Sequence, residues 1–180
     1  MIILASKSPR RKELLSLITD DFTVDSAEVD ETFPCDIEPD KAVEYLSKIK
    51  AQPFRKSGKI VIGADTVVAI DGKVLGKPKN EKDAFLMLKN LSGKEHSVFT
   101  GVTVIKNDKE VTFSVQTKVK FFELDDREIE DYISSGEPFD KAGAYGIQGK
   151  GSLFVEKIDG DYFNVVGLPI SRLARQLKSI

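Results

Sequence analysis

KIVIGADTVVAI, residues 59–70, is an apolar, β-branched run that reads as a buried strand, interrupted by a single carboxylate. An unpaired charge at Asp65, flanked by Val61, Ile62, Val67 and Val68, would cost several kcal/mol. The carboxylate must therefore be paired, bind a metal or point into a wet cleft. Gly63 and Ala64, just before it, present almost no side chain, which reads as room for something bulky to approach the backbone. Together these features place a ligand site on this strand.

Outward from the strand, the C-terminal side turns through Asp71-Gly72, a strong hairpin dipeptide, and returns as Lys73–Leu75. On the N-terminal side, Pro39 to Ala51 has helical spacing in Ala42, Val43, Leu46 and Ile49, with Asp40 in its first turn and Lys48 and Lys50 in its last. The chain opens with a short strand, Met1–Leu4, followed by ASKSPRR and an amphipathic helix with Ser8 at the N-cap and Pro9 at its first position. Phe22–Val24 reads as a further strand. Asn80 caps a helix with Ala84, Leu88 and Leu91 on its apolar face. Alternation from His96 to Phe121, broken at Asn107-Asp108, predicts two long antiparallel strands. Asp125 caps a helix carrying Ile129, Tyr132 and Ile133; a strand over Leu153–Ile158 and a helix from about Pro169 to Leu177 close the fold.

The 180 residues predict one domain, residues 1–180, or two tightly joined lobes, with 41% apolar and 31% charged residues as in an ordinary globular protein. The 27 basic and 29 acidic residues leave a net charge of -2, so no overall field attracts nucleic acid or an anionic membrane, and phosphate recognition must be local. Cys35 is the single cysteine, which leaves no internal disulfide and no cysteine-based metal cluster. With a first segment that runs straight into MIILAS and no apolar run of transmembrane length, the expectation is a cytoplasmic protein.

Four further stretches carry candidate chemistry. In the first strand-to-helix turn, Ser6, Ser8, Arg10 and Arg11 surround a helix N-terminus whose N–H groups and dipole favour phosphate; a capped surface helix with solvated arginines is the plain alternative. The acidic segment Asp25–Asp40, with Pro34 and Pro39, reads as a loop in which Glu28, Asp30 and Glu31 offer oxygen ligands to a divalent cation, or are merely solvated. Gly76-Lys77-Pro78 is a stiff loop. EPFDKAGAYGIQGKG, residues 137–151, matches neither a dinucleotide fingerprint nor a Walker loop, but its glycines at 143, 146, 149 and 151 permit close approach to a ligand. Within it Lys141 is placed to contact a phosphate and Gln148 to read a base edge. His96, the single histidine, reads as a structural hydrogen-bonding residue. Cations, carboxylates and a reader loop at separate strand ends converge in α/β sheets and describe a phosphoester or phosphoanhydride hydrolase with a nucleotide–metal site.

The succession SKSPRR (6–11), VDE (29–31), GADTVV (63–68), GKP (76–78), HSVFTG (96–101), DKAGAYGIQG (140–149) and NVVGLP (164–169) resembles, in order and over essentially the whole chain, the Maf family of nucleoside triphosphate pyrophosphatases. The resemblance implies a mixed α/β fold with a long curved sheet flanked by helices, two lobes around a nucleotide cleft, and commonly a homodimer. It implies hydrolysis of a nucleoside triphosphate to the monophosphate and pyrophosphate with a divalent metal, Mg²⁺ or Mn²⁺. By position, Asp65 matches the proton acceptor and metal-associated acid, Glu31 a further metal carboxylate, and Ser6, Arg11, Lys50 and Lys77 the surroundings of the triphosphate. Arg10, Thr66 and Gln148 stand where the family's branches differ and resemble the branch acting on dTTP and UTP, which leaves modified pyrimidine nucleotides as further substrates. The competing expectation is a nucleotide-binding regulator of septum formation that has no need of hydrolysis. A nucleic-acid-binding protein lacks its basic patch here, and a nudix hydrolase its paired-glutamate helix.

Overall fold

The computed structural model describes residues 1–32 and 37–180; Pro34 and Cys35, which entered the loop and cysteine readings, lie outside the described residues. The predicted elements form in the predicted order, with strand β1 at Ile2–Ala5, helix α1 at Pro9–Ser16, β2 at Phe22–Asp25 and α2 at Pro39–Ala51. The long strand β3 runs over Ile60–Ile70, followed by β4 at Lys73–Leu75, α3 at Glu81–Leu91, β5 at Glu95–Lys106, β6 at Lys109–Phe121 and α4 at Asp126–Ser134. The chain closes with β7 at Val155–Asp159, α5 at Tyr162–Val166 and α6 at Ile170–Ser179. Local chemistry accounts for the boundaries. Ser8 accepts from the Arg11 amide, Asn80 from the Asp83 amide, and Asp125 and Glu128 form a reciprocal capping box. The β3–β4 hairpin turns on Asp71 and Gly72, both at positive φ (51° and 73°).

The first strand is shifted by one residue, to Ile2–Ala5, and the C-terminal part of the chain differs more. The last strand starts two residues late because residues 149–154 wind into a 3₁₀ turn, and the closing helix begins at Ile170. Helix α5 went unread because five residues carry too little periodicity; its signals are the Asp161 cap, which accepts from the Phe163 amide at 2.8 Å, and Gly167 at its end.

The strands form one mixed sheet in the order β2-β1-β3-β5-β6-β7, with β4 also paired to β3. Strand β1 runs parallel to β2 and β3, and every other pairing is antiparallel. Because a strand alternates faces, Ile62, Ala64, Val68 and Ile70 of β3 all point to one side. There they enter two apolar clusters: Ile62 and Ala64 join Leu14, Leu15 and Leu173 of α1 and α6, while Val68 and Ile70 join Leu88, Leu91, Ile129 and Tyr132 of α3 and α4. The opposite face carries α2, where Val61 and Ile105 meet Ala51.

Gly63 and Gly101 overturn one expectation. The space beside Gly63 is filled by the protein itself: a Cβ on Gly63 would lie 2.2 Å from the Ser47 carbonyl oxygen, and one on Gly101 would lie 2.2 Å from the Val43 carbonyl oxygen. Both contacts come from the backbone of α2. The glycines seat a helix rather than a ligand, and Gly101 is the cross-strand partner of Asp65.

His96 is a core residue, as read from the sequence. It is buried, its Nε2 shares a 2.7 Å hydrogen bond with the Tyr145 hydroxyl, and its ring packs edge-on against Phe121. Burial lowers its pKa to about 4 and raises that of the Tyr145 phenol.

Two outcomes follow. Gly101→Ala should cost at least about 1–3 kcal/mol by overpacking against backbone that has no rotamer to move, whereas Gly76→Ala, with nothing within 4 Å of the added carbon, should be near neutral in a denaturant titration. The native imidazole stays neutral down to about pH 4 while the unfolded one protonates near 6.5. Between those values the unfolded state binds more protons, so stability falls as pH is lowered through that window. His96→Gln should flatten that part of a melting-temperature profile.

Candidate active site

The cleft exists because β3 is longer than its partners on one edge. Strand β1 ends where Ala5 pairs with Gly63, and the antiparallel β4 ends where Leu75 pairs with Val68. Between them, Ala64–Val67 has no partner strand on that edge among the described residues. A cavity of about 970 Å³ opens there, bounded by the β1–α1 turn, the acidic loop, the β4–α3 loop and the glycine-rich segment. Ser6, Arg10, Arg11, Glu31, Lys50, Asp65, Thr66, Lys77 and Gln148 all line it, while Asp30, also offered by the sequence as an oxygen ligand, does not.

On the α2 face, Lys50 leaves the last turn of the helix and its ammonium donates to Asp65 Oδ1, while Glu31 Oε1 lies 3.1 Å from the same nitrogen. Asp65 is thus the paired, cleft-facing carboxylate that its apolar context demanded. Its Oδ2 has no hydrogen-bond donor among the described residues. The neighbouring Lys48, one of the two lysines read as complementing the helix dipole, goes the other way and pairs with Glu110 at 2.7 Å. Gln52 and Arg55 also reach Glu110, at 3.1 and 2.5 Å, which ties the end of α2 to β6.

On the opposite face, Arg11 is held at three points. Its Nε donates to the Gly167 carbonyl at 2.8 Å, Nη2 to Thr66 Oγ1 at 3.0 Å and Nη1 to Ser6 Oγ at 3.3 Å. Burial lowers its pKa and the nearby Asp65 carboxylate opposes that shift; a guanidinium remains charged regardless. Ser6 is buried and its oxygen also accepts from the Ser8 amide at 3.2 Å. The arginine is therefore a built cation in the cleft wall, which removes the reading of a solvated surface residue.

The far wall is the glycine-rich segment. Gly143, at φ 69°, donates to the Gly76 carbonyl at 3.0 Å, and its missing Cβ would lie 3.0 Å from Val68. Lys141, expected to contact phosphate, is otherwise engaged. Its Nζ donates to the Glu137 carbonyl and to Asp140, each at 2.6 Å, and a Cβ at Gly146 would press on its stem at 2.7 Å. Asp140 also receives Arg10 at 3.3 Å, joining α1 to this wall. Gln148 and Lys77 are exposed on the rim. Thr66, grouped with Gln148 in the sequence comparison of branches, has its hydroxyl committed to Arg11 and Thr100 instead.

Asp65 and Glu31 meet through a common partner and offer only oxygen donors. Such a pair suits Mg²⁺ or Mn²⁺, which use one or two carboxylates and fill their remaining positions with water and substrate phosphate. Among the described residues no cluster of three or more His, Cys, Asp or Glu is placed around one point, so the protein's share of such a site would be these two. Asp30 stands apart: it accepts from the amide and hydroxyl of Thr32 at 3.0 and 2.7 Å and closes its own turn.

A family model described as Maf-like protein matches residues 1–180. A dTTP/UTP pyrophosphatase from Bacillus pumilus is 52% identical over 180 residues, covering 99% of this chain and 95% of that protein. One from Bacillus cereus is 55% identical over 179 residues, covering 98% and 94%. Among solved structures, a HAM1 protein from Coxiella burnetii aligns with a TM-score of 0.54 over 99% of this chain and 98% of its own, at 12% identity, a likeness of fold. The chain belongs to the Maf family.

Proposed function

From its place in the Maf family we infer that this protein is a nucleoside triphosphate pyrophosphatase, cleaving dTTP and UTP between the α and β phosphates to give the monophosphate and pyrophosphate. The relatives that match it over nearly their whole length carry that activity in their names. The observation that carries the reading is one cleft where a cleft-facing carboxylate, Asp65, lies beside Lys50 and a triply anchored arginine, Arg11.

Asp65 takes the proton of the attacking water through the carboxylate oxygen that Lys50 leaves unused. The water oxygen bonds to the α phosphorus, and the bond from that phosphorus to the bridging oxygen breaks, so pyrophosphate departs with the electron pair. Arg11, Lys50 and Lys77 offset the charge that builds on the leaving group. Ser6 and the first turn of α1 orient the phosphates, with Arg10 at the rim. Glu31 and Asp65 would hold a Mg²⁺ or Mn²⁺ ion, which when bound polarises the phosphates as a Lewis acid. Gln148, exposed on the rim, would read the pyrimidine edge. Residues 1–180 act as one domain in this reading, since β3 belongs to both apolar clusters. A homodimer in the cytoplasm is the expected setting, the first of which light scattering on the purified protein checks.

Asp65→Asn keeps the shape and removes the base, so kcat should fall by about 100-fold or more with the melting temperature little changed; near-normal turnover would refute the role. In the same assay, many turnovers releasing pyrophosphate separate an enzyme from a nucleotide-binding regulator, and orthophosphate as product would refute α–β cleavage. Gln148→Ala should reduce the preference for dTTP and UTP over purine nucleotides more than it weakens binding of inorganic tripolyphosphate. Equal loss across all bases would remove Gln148 as the reader.

A further inference from the structure

Behind Arg11 a hydrogen-bonded line runs from the cleft wall into the core. Arg11 Nη2 meets Thr66 Oγ1 at 3.0 Å, Thr66 Oγ1 meets Thr100 Oγ1 at 2.8 Å, and Thr100 Oγ1 meets the Asn164 carbonyl oxygen at 2.8 Å. The direction of each bond follows from counting hydrogens. A hydroxyl has one hydrogen, and a carbonyl only accepts. Thr100 must spend its hydrogen on Asn164, so in the Thr66–Thr100 pair Thr66 is the donor. The hydrogen of Thr66 is then used, and the lone pairs on its oxygen are what Arg11 meets.

Thr100 and Asn164 are completely buried, so no water competes for these partners. Asn164 is itself fixed, its Nδ2 donating to the Val98 carbonyl at 3.1 Å and to Thr117 Oγ1 at 3.0 Å. The second anchor of Arg11 is the carbonyl of Gly167, the residue that closes the same short helix α5 and whose amide donates to the Phe163 carbonyl. One helix therefore holds the guanidinium twice, directly and through two threonines.

We propose that Thr100, which does not line the cleft, is a positioning residue for Arg11: it orients the Thr66 hydroxyl so that the guanidinium faces the triphosphate. This rests on the reading of the cleft as a triphosphate site. Aligned donors polarise one another, which strengthens the bond that Arg11 donates to Thr66.

Thr100→Val preserves volume and removes the relay. It should weaken binding of inorganic tripolyphosphate, followed by calorimetry, and lower kcat/KM for dTTP, each by about tenfold, the size expected for one hydrogen bond to a charged group. Thr100→Ser should restore both. In an Arg11→Lys background the valine change should add less than about twofold, since coupled residues are not additive; a packing role would cost the same in either background. A Thr100→Val protein that binds tripolyphosphate as the wild type does overturns the proposal. If that variant does not fold, Thr66→Val cuts the line one link nearer, and wild-type tripolyphosphate binding there overturns it equally. A wild-type protein that binds tripolyphosphate but turns over no nucleotide would count against the proposed function, while the binding arm would still decide the relay.

Discussion

The approach of α2 to the sheet, backbone against backbone, is the constraint from which the site follows. Side chains normally hold a helix off the strands beneath it; at Gly63 and Gly101 no Cβ intervenes, and the carbonyls of Ser47 and Val43 settle into the two notches. The helix direction and height are then fixed at two points. Lys50, one turn beyond Ser47, necessarily arrives beside Asp65, whose own cross-strand neighbour is Gly101. The Glu110 cluster holds this same end of the helix to β6. A carboxylate in an apolar strand is thereby paired without being sealed, since the pair looks into the cleft.

Electrostatically, the cleft solves a problem that net charge hides. With a formal charge of -2 the chain has no long-range pull on a polyanion. Locally, Arg10, Arg11, Lys50 and Lys77 face one cavity together with Glu31, Asp65 and Asp140. The acidic groups keep the cations paired while the cleft is open to water: Arg10 on Asp140, Lys50 on Glu31 and Asp65. Arg11 differs in kind, being satisfied by neutral oxygens of Gly167, Thr66 and Ser6. Its charge is uncompensated at contact distance and so available to an incoming anion, at the cost of the desolvation that depresses its pKa.

What was legible in the sequence follows the range of the forces involved. Capping boxes, the Asp-Gly hairpin and the alternation of β5 and β6 are encoded within a few residues, and these elements appeared where expected. Asp65 was legible as a paired, cleft-facing carboxylate because a charge in a β-branched run violates a local rule. The purpose of Gly63 was not legible, because nothing in its neighbourhood says whether a helix or a ligand will use the space. The partners of Lys141 were hidden for the same reason. A lysine among glycines looks free until the loop folds back and Glu137 and Asp140 take its ammonium. The Thr66–Thr100–Asn164 line is invisible in one dimension, since its members sit on β3, β5 and α5, 34 and 64 residues apart in sequence.

Period-two geometry explains how one strand serves both halves of the site. Consecutive residues of β3 point to opposite faces, so Asp65 belongs to the α2 side with Lys50, and Thr66 to the other side with Arg11 and α5. In the middle of an ordinary sheet these two groups would be separated by the sheet itself and could not act on one ligand. Here the pairing with β1 stops at Gly63 and that with β4 resumes at Val68, so for four residues the sheet has an open edge among the described residues. A ligand lying along that edge touches both faces at once. The carboxylate reaches it from one side and the guanidinium from the other, and the two apolar clusters on either side of the gap supply the stiffness that keeps the edge from closing.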